Sequence, residues 1–269
     1  MKLKDEEQMT EEAVRTLFSV EGKIALVTGG TSGIGRMMAQ GLVAAGAKVY
    51  VVARNEDDCA RTAAELGADG RCHAIVGDLS TLGGVRGVAR SFGEAEARLD
   101  ILVNNAGLFK TQPIDEYSEE LWDYSIDLNL KAAFFLTQQL LSPLRKAGSA
   151  EDPARLVHVG SGHGIRVAAF ESYAYQSSKA ALHHLAQLMA WRLAKEFITV
   201  NAIAPGVFAS RNTADFSEET VAAIVKGIPR GRYGEAADIV GALLYLTSRA
   251  GAYVTATVLP VDGGRSGTR

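Results

Sequence analysis

A chain of 269 residues, 47% of them hydrophobic and with a formal net charge of −3, is long enough for one large α/β domain and apolar enough to bury a sizeable core. A pI near 6.0 gives no electrostatic case for nucleic acid or an acidic membrane, and the longest apolar runs stop well short of membrane-spanning length. Charges through the first twenty residues (Lys2, Lys4, Asp5, Glu6, Glu7, Glu11, Glu12) exclude a hydrophobic signal core, and Cys59 and Cys72 lack metal or disulfide spacing, so the expectation is a cytoplasmic protein without a metal.

Residues 1–22 are expected to form an N-terminal arm, with Met9, Ala13, Val14, Leu17 and Phe18 striping a helix over about 5–18. From Lys23 onward, short apolar runs predict strands over 24–28, 49–53, 74–76, 99–104, 156–160, 198–204 and 258–261. Between them lie helical segments: one from the glycines near 33 to Gly46, one over 56–66, and one before the fourth strand. Others follow over 118–146 (Pro143 tightening its end), 174–196 and 235–248. Near-continuous apolar strands alternating with helices predict a single-domain, Rossmann-like, doubly wound α/β fold over 23–269, its seven-stranded parallel sheet flanked by helices. The stretch 206–219 has little apolar character and reads as mobile, and a substrate lid is expected over about 207–227.

Two clusters carry chemistry. Gly29 and Gly33-Ile34-Gly35 fall between the first strand and a helix, where glycines let the backbone approach a pyrophosphate and aim the helix N-terminus at it. Tyr175 and Lys179 stand four residues apart at the start of an alanine-rich helix, so a phenol and an ammonium share one face. Lowering a tyrosine pKa from about 10 to neutrality takes roughly 4 kcal/mol, about what one positive charge at ~4 Å supplies near a surface. The pair reads as a tuned acid/base. At the end of the second strand, where NAD-preferring sheets carry an acid, Ala53 is followed by Arg54. A guanidinium suits the 2′-phosphate of NADP(H), with Ser32 and Asn55 as neutral partners, so NAD is the lesser expectation.

The spacing Thr28-Gly29-x-x-x-Gly33-Ile34-Gly35 resembles that of the short-chain dehydrogenase/reductase family, and the resemblance continues from about Lys23 to Gly264. It recurs in Asp78-Leu79, Asn104-Asn105-Ala106-Gly107, Asn129, Ser161, Tyr175 with Lys179, Asn201-Ala202-Ile203-Ala204-Pro205-Gly206 and Val261-Asp262-Gly263-Gly264. The resemblance implies a catalytic set of Asn129, Ser161, Tyr175 and Lys179. It also implies a cofactor set of Gly29, Thr31, Ser32, Gly33, Ile34, Gly35, Asp78, Leu79, Asn105, Ala106, Gly107, Tyr175, Lys179, Pro205, Gly206 and Ser210, to which Arg54 is added. In such a set Tyr175 exchanges the proton, Ser161 bonds the substrate oxygen, Lys179 holds the nicotinamide ribose, and Asn129, at a helix-kinking position, anchors a water linking Lys179 to solvent. Ser210 replaces the usual threonine, Ala256 a frequent glycine and Ala236 a frequent proline.

Within the family, Val51-Val52-Ala53-Arg54, Asp152-Pro153-Ala154-Arg155 and the Ser210-Arg211 pair are most similar to 3-oxoacyl (β-ketoacyl) reductases of the rhamnolipid-associated type. Glu196 stands where carrier-protein reductases tend to place arginine. The resemblance thus implies NADPH-dependent reduction of a ketone, a 3-oxoacyl thioester before a sugar, polyol, diketone or steroid, by a homo-oligomer, tetramer or dimer, packed through the 118–146 and 174–196 helices. A non-catalytic dinucleotide sensor would be expected to have lost Tyr175 or Lys179.

Overall fold

Neighbouring residues of the strand Ile24–Thr28 (β1) face two different helical layers. Leu26 joins Tyr50, Val52, Leu102, Leu156 and Val200 on one side, while Ala25 and Val27 join Val49, Val51, Ile101, Val103 and Ile203 on the other. This period of two, with both faces apolar, is why the strands read as unbroken hydrophobic runs. The computed structural model describes residues 9–67, 69–209 and 217–268. The remaining strands are β2 (Lys48–Ala53), β3 (Cys72–Val76), β4 (Ile101–Asn104), β5 (Ala154–Val159), β6 (Ile198–Pro205) and β7 (Val258–Val261). All pair in parallel in the order β3-β2-β1-β4-β5-β6-β7. The chain starts mid-sheet, winds out to β3, then restarts at β4, so the strand order reverses between β1 and β4, where doubly wound sheets open their ligand crevice.

The helices are α1 (Glu11–Leu17), α2 (Gly33–Ala44), α3 (Glu56–Leu66), α4 (Leu82–Ala95), α5 (Glu119–Ile126), α6 (Ala132–Gln139), α7 (Leu141–Ala147), α8 (Tyr173–Leu193), α9 (Glu218–Lys226) and α10 (Ala236–Thr247). Phe92 of α4, Leu136 of α6 and Ala186 and Ala190 of α8 cover one sheet face. Met38 and Leu42 of α2 and Ile239, Leu243 and Leu246 of α10 cover the other. Among the described residues no helix is long and apolar enough to cross a membrane.

Three expectations are corrected. The helix over 118–146 is not continuous: a π-helical turn over Asp127–Lys131 separates α5 from α6, and the chain breaks again at Leu140 (φ −97°, ψ 7°) before α7. Pro143 therefore lies in the first turn of α7, where its missing N–H costs nothing, rather than near a helix end. Of the stretch 206–219, read as mobile, residues 210–216 lie outside the described residues, and at its end the Ser217 side chain caps α9 by accepting from the Thr220 N–H, with Glu218 and Glu219 in the first turn. The arm helix starts at Glu11, capped by Thr10, and buries none of its residues; Met9, Val14 and Phe18 are exposed.

Candidate active site

The C-terminal ends of β1 and β4 are laced together by one hydroxyl. Thr28 Oγ1 accepts from the backbone N–H of Asn105 (2.8 Å) and Ala106 (2.9 Å) and donates to the Val103 carbonyl (3.3 Å). The Asn105 side-chain amide donates back to the Thr28 carbonyl (2.8 Å) and the Gly29 carbonyl (3.3 Å), bracing the glycine loop from below. This close approach explains two of the glycines. Gly29 has φ +64°, and a Cβ on Gly35 would lie 2.2 Å from the Gly29 carbonyl oxygen and 2.3 Å from Asn105 Nδ2.

α2 begins at this loop. Asn55, Thr81, Ser118 and Ser217 cap α3, α4, α5 and α9 with side-chain oxygens, whereas Ser32, the residue preceding α2, makes no such bond. The first N–H groups of α2 are left open toward a cleft of about 1520 Å³, lined by Gly29, Ser32, Gly33, Ile34 and Gly35 at one end and by Ser161, Tyr175 and Lys179 at the other. An uncapped helix N-terminus above a glycine cradle suits a pyrophosphate, and the cleft has room for a dinucleotide and a small substrate together. The residues therefore fit a nicotinamide dinucleotide.

At the far end, the strand β5 stops at Val159 and the chain turns through Gly160 and Ser161. Ser161 Oγ accepts from the His163 N–H (3.1 Å), and the Ser161 N–H donates to His183 Nε2 (3.3 Å). The His183 ring occupies space that side chains on Gly160 and Gly164 would fill: added Cβ atoms would fall 1.9 Å and 2.8 Å from it. Burial, with the Lys179 charge nearby, pulls the His183 pKa down to about 4, so the ring is neutral and free to accept. His158, in β5, is fully buried and pulled down to about 3 in the same way.

Lys179, one turn along α8 from Tyr175, is 4% exposed and donates from Nζ to the Val159 carbonyl (2.7 Å). Its Nζ sits 5.8 Å from the Tyr175 ring centroid, and burial lowers its pKa to about 8. The expectation that Lys179 draws Tyr175 toward neutral pH does not hold in this geometry. Burial pushes the phenol above its ordinary value, and Ser161 is the group that pulls it down. The ammonium is committed to the Val159 carbonyl and is itself desolvated.

Asn129 is 1% exposed in the middle of the π-helical turn. Its Oδ1 accepts from the Leu108 N–H (2.7 Å), and its Nδ2 donates to the Leu108 carbonyl (3.1 Å) and Ser178 Oγ (3.1 Å). Ser178 donates onward to the Tyr175 carbonyl (2.7 Å). Ser178 is thus buried and ties the Asn129 turn to the first turn of α8. A Cβ on Gly107 would lie 3.1 Å from Asn129 Oδ1 and 3.4 Å from Lys179 Nζ, which places these two polar groups together at the cleft floor.

The cleft unites most of the expected set: Gly29, Ser32, Gly33, Ile34, Gly35, Asn105, Ala106, Gly107, Ser161, Tyr175, Lys179, Pro205 and Gly206 all line it. Asn129 lies just beneath, on a small cavity beside Thr28 and Asn104. Thr31, Arg54, Asp78 and Leu79 do not line the cleft. Leu79 packs its side chain into the core, and Asp78 accepts from the Ser80 N–H (3.0 Å) and hydroxyl (2.9 Å). Arg54 is exposed and donates to the Tyr124 hydroxyl (2.6 Å). Asn55 spends its side-chain oxygen on capping α3. Ser210 and Arg211 lie outside the described residues. The sequence did not single out Phe109, which meets Tyr175 edge-on at 5.0 Å, or Phe170, 6.4 Å from Phe109; their spacing carries no period that would have found them. His163 stands beside both.

A parallel sheet with this switch-point cleft, a glycine cradle and a Ser–Tyr–Lys group lining its far end defines a dinucleotide-dependent oxidoreductase. A family model described as short chain dehydrogenase matches residues 23–221, and the chain belongs to that family. It is 47% identical over 249 residues to the rhamnolipids biosynthesis 3-oxoacyl-[acyl-carrier-protein] reductase of Pseudomonas aeruginosa, covering 92% of this chain and 97% of that protein. It is 35% identical to the 2-dehydro-3-deoxy-D-gluconate 5-dehydrogenase of Escherichia coli, covering 93% of this chain and 98% of the other. Among solved structures, the Pseudomonas aeruginosa RhlG/NADP active-site complex superposes with a TM-score of 0.91 at 45% identity, over 93% of this chain and 99% of that one.

Proposed function

We propose that this oxidoreductase is an NADPH-dependent carbonyl reductase acting on a 3-oxoacyl thioester, working as a cytoplasmic homo-oligomer. One observation carries the reaction: Tyr175, Ser161 and Lys179 converge at the end of a cleft whose other end is the glycine cradle. The substrate class is favoured by the 47% identity to a 3-oxoacyl reductase, and the cofactor by the NADP complex of the similar structure together with Arg54 at the end of β2. When bound, reduced nicotinamide supplies a hydride.

The chain's own residues do the rest. Tyr175, its pKa held up by burial, keeps its proton at neutral pH and donates it to the carbonyl oxygen as that oxygen gains charge. Ser161 accepts the His163 N–H with one lone pair and keeps its hydroxyl proton for the same oxygen. Lys179 holds a positive charge at the Tyr175 ring, and Asn129 fixes the turn beneath it. Removing the phenolic oxygen is the direct test. Tyr175→Phe should bind NADPH as the parent does, measured by fluorescence titration, and lose at least ~10²-fold in kcat with acetoacetyl thioesters. Near-normal turnover would remove Tyr175 from the chemistry. A second substrate class, a keto sugar acid, is kept by the 35% identity to the 2-dehydro-3-deoxy-D-gluconate 5-dehydrogenase.

A further inference from the structure

Beyond the reacting centre, the cleft is lined by three cations: Arg166, just past Ser161; Lys226, at the end of α9; and Arg265, in the turn after β7. Ninety-nine positions separate the two arginines in sequence, yet Arg166 Nη1 donates to the Arg265 carbonyl (3.2 Å). They stand on the tyrosine side: His163, whose ring lies 6.4 Å from that of Tyr175, feels the charge of Arg265. Phe109, Phe170 and His163 form an aromatic wall beside the phenol.

Among the described residues none of the three cations forms an ion pair. The carboxylate that lines the cleft, Asp262, is already engaged, Oδ1 accepting from the Gly264 N–H (2.9 Å) and Oδ2 from the Ser266 N–H (2.7 Å). Ser266 lines the same cleft, and its hydroxyl is buried without a hydrogen-bond partner. Unneutralised guanidinium groups and an unanswered hydroxyl around one mouth are what an incoming oxyanion would satisfy, since each arginine matches a phosphate or carboxylate with paired, charge-assisted bonds.

We propose that Arg166, Lys226 and Arg265 form an oxyanion-binding rim that takes a phosphate or carboxylate carried by the ketone substrate away from its reacting carbonyl, with Ser266 as a further donor. This deepens, and rests on, the carbonyl-reductase assignment. The rim selects for ketones bearing a remote anion and leaves the flat 3-oxo portion against the aromatic wall. Neutral ketones of similar size gain only the wall.

The test compares three ligands with the full chain at saturating NADP(H): acetoacetyl-CoA, which carries phosphates; the acetoacetyl thioester of N-acetylcysteamine, with the same reacting group and no charge; and a 5-keto aldonic acid, which carries a carboxylate. Turnover and calorimetric binding are both read for the parent and for Arg166→Gln, Lys226→Gln and Arg265→Gln. Each arginine substitution should lower the ratio of charged to neutral kcat/KM by roughly tenfold, and added salt should lower it further. A drop confined to the CoA thioester identifies the phosphate, and one confined to the keto acid identifies the carboxylate. An unchanged ratio and unchanged binding for both charged ligands would overturn the rim. Arginine-dependent binding without reduction of any of the three would instead overturn the reductase assignment while leaving the rim standing.

Discussion

Lys179 is the residue whose protonation the fold has shifted most usefully. Its charge is fully present below about pH 8 and is lost above it, because burial favours the neutral amine. Tyr175, pushed the other way, keeps its proton over the same range. Reduction should therefore hold steady through neutral pH and decline above about pH 8, as the positive charge beside the phenol disappears. Lys179→Arg, whose guanidinium stays charged, should be slower overall but should move that alkaline limb upward. Initial rates of NADPH oxidation from pH 6 to 10 check this; a limb at the same pH in both proteins would assign it to another group. Folding follows the same shift. A lysine with its folded pKa below the usual 10.5 costs stability at neutral pH, and the cost disappears as pH rises from about 8 to 10.5. His158 and His183 act at the acid end. Neutral when folded and protonated when unfolded, they withdraw stability as pH falls below about 6.5.

Among the elements, the loop that leads from Val254 into β7 carries an identifiable strain. Ala256 has φ +63°, in the left-handed region, while its N–H donates to the Val200 carbonyl (2.8 Å) and so pins it there. The frequent family glycine at this position now has a physical reason. Ala256→Gly should raise stability by about 1 kcal/mol, seen as a higher midpoint in urea with an unchanged slope; a lowered midpoint would contradict the strain. Elements whose signal is local were legible in the chain: each of the seven strands announced itself by its apolar run, and Gly33-Ile34-Gly35 by its place between strand and helix. Elements fixed by distant partners were not. The π-helical turn around Asn129 is held by Leu108 and Ser178, twenty-one and forty-nine positions away, so nothing in the periodicity of 118–146 displays it. The burial of Ser178 has the same origin. The α9 helix did carry a local signal, Ser217 followed by Glu218 and Glu219, which the polar residues before it obscured. Nothing in the sequence pairs Arg166 with Arg265, ninety-nine positions apart, which the fold brings together.

At the scale of the whole molecule, the outer face of α8 shows Leu188 and Trp191, 56% and 77% exposed and three residues apart, hence on one side of the helix. Phe134 of α6 is also exposed. Apolar groups this large on one helix face are what an interface would bury, and a second copy of the chain is the partner proposed. Light scattering of the purified protein should give a mass of two or four chains, and Trp191→Glu should shift it toward smaller species; an unchanged mass in the variant would move the interface elsewhere. The order of the sheet has a different kind of consequence, one of timing. Because β1 is synthesised first yet lies between β2 and β4, a growing chain that has made only its first three strands presents a bare, hydrophobic backbone edge until about residue 104 has emerged. The edge that later carries the Thr28 clasp is thus, like the outer edge of β3, open to wrong pairing until β4 arrives.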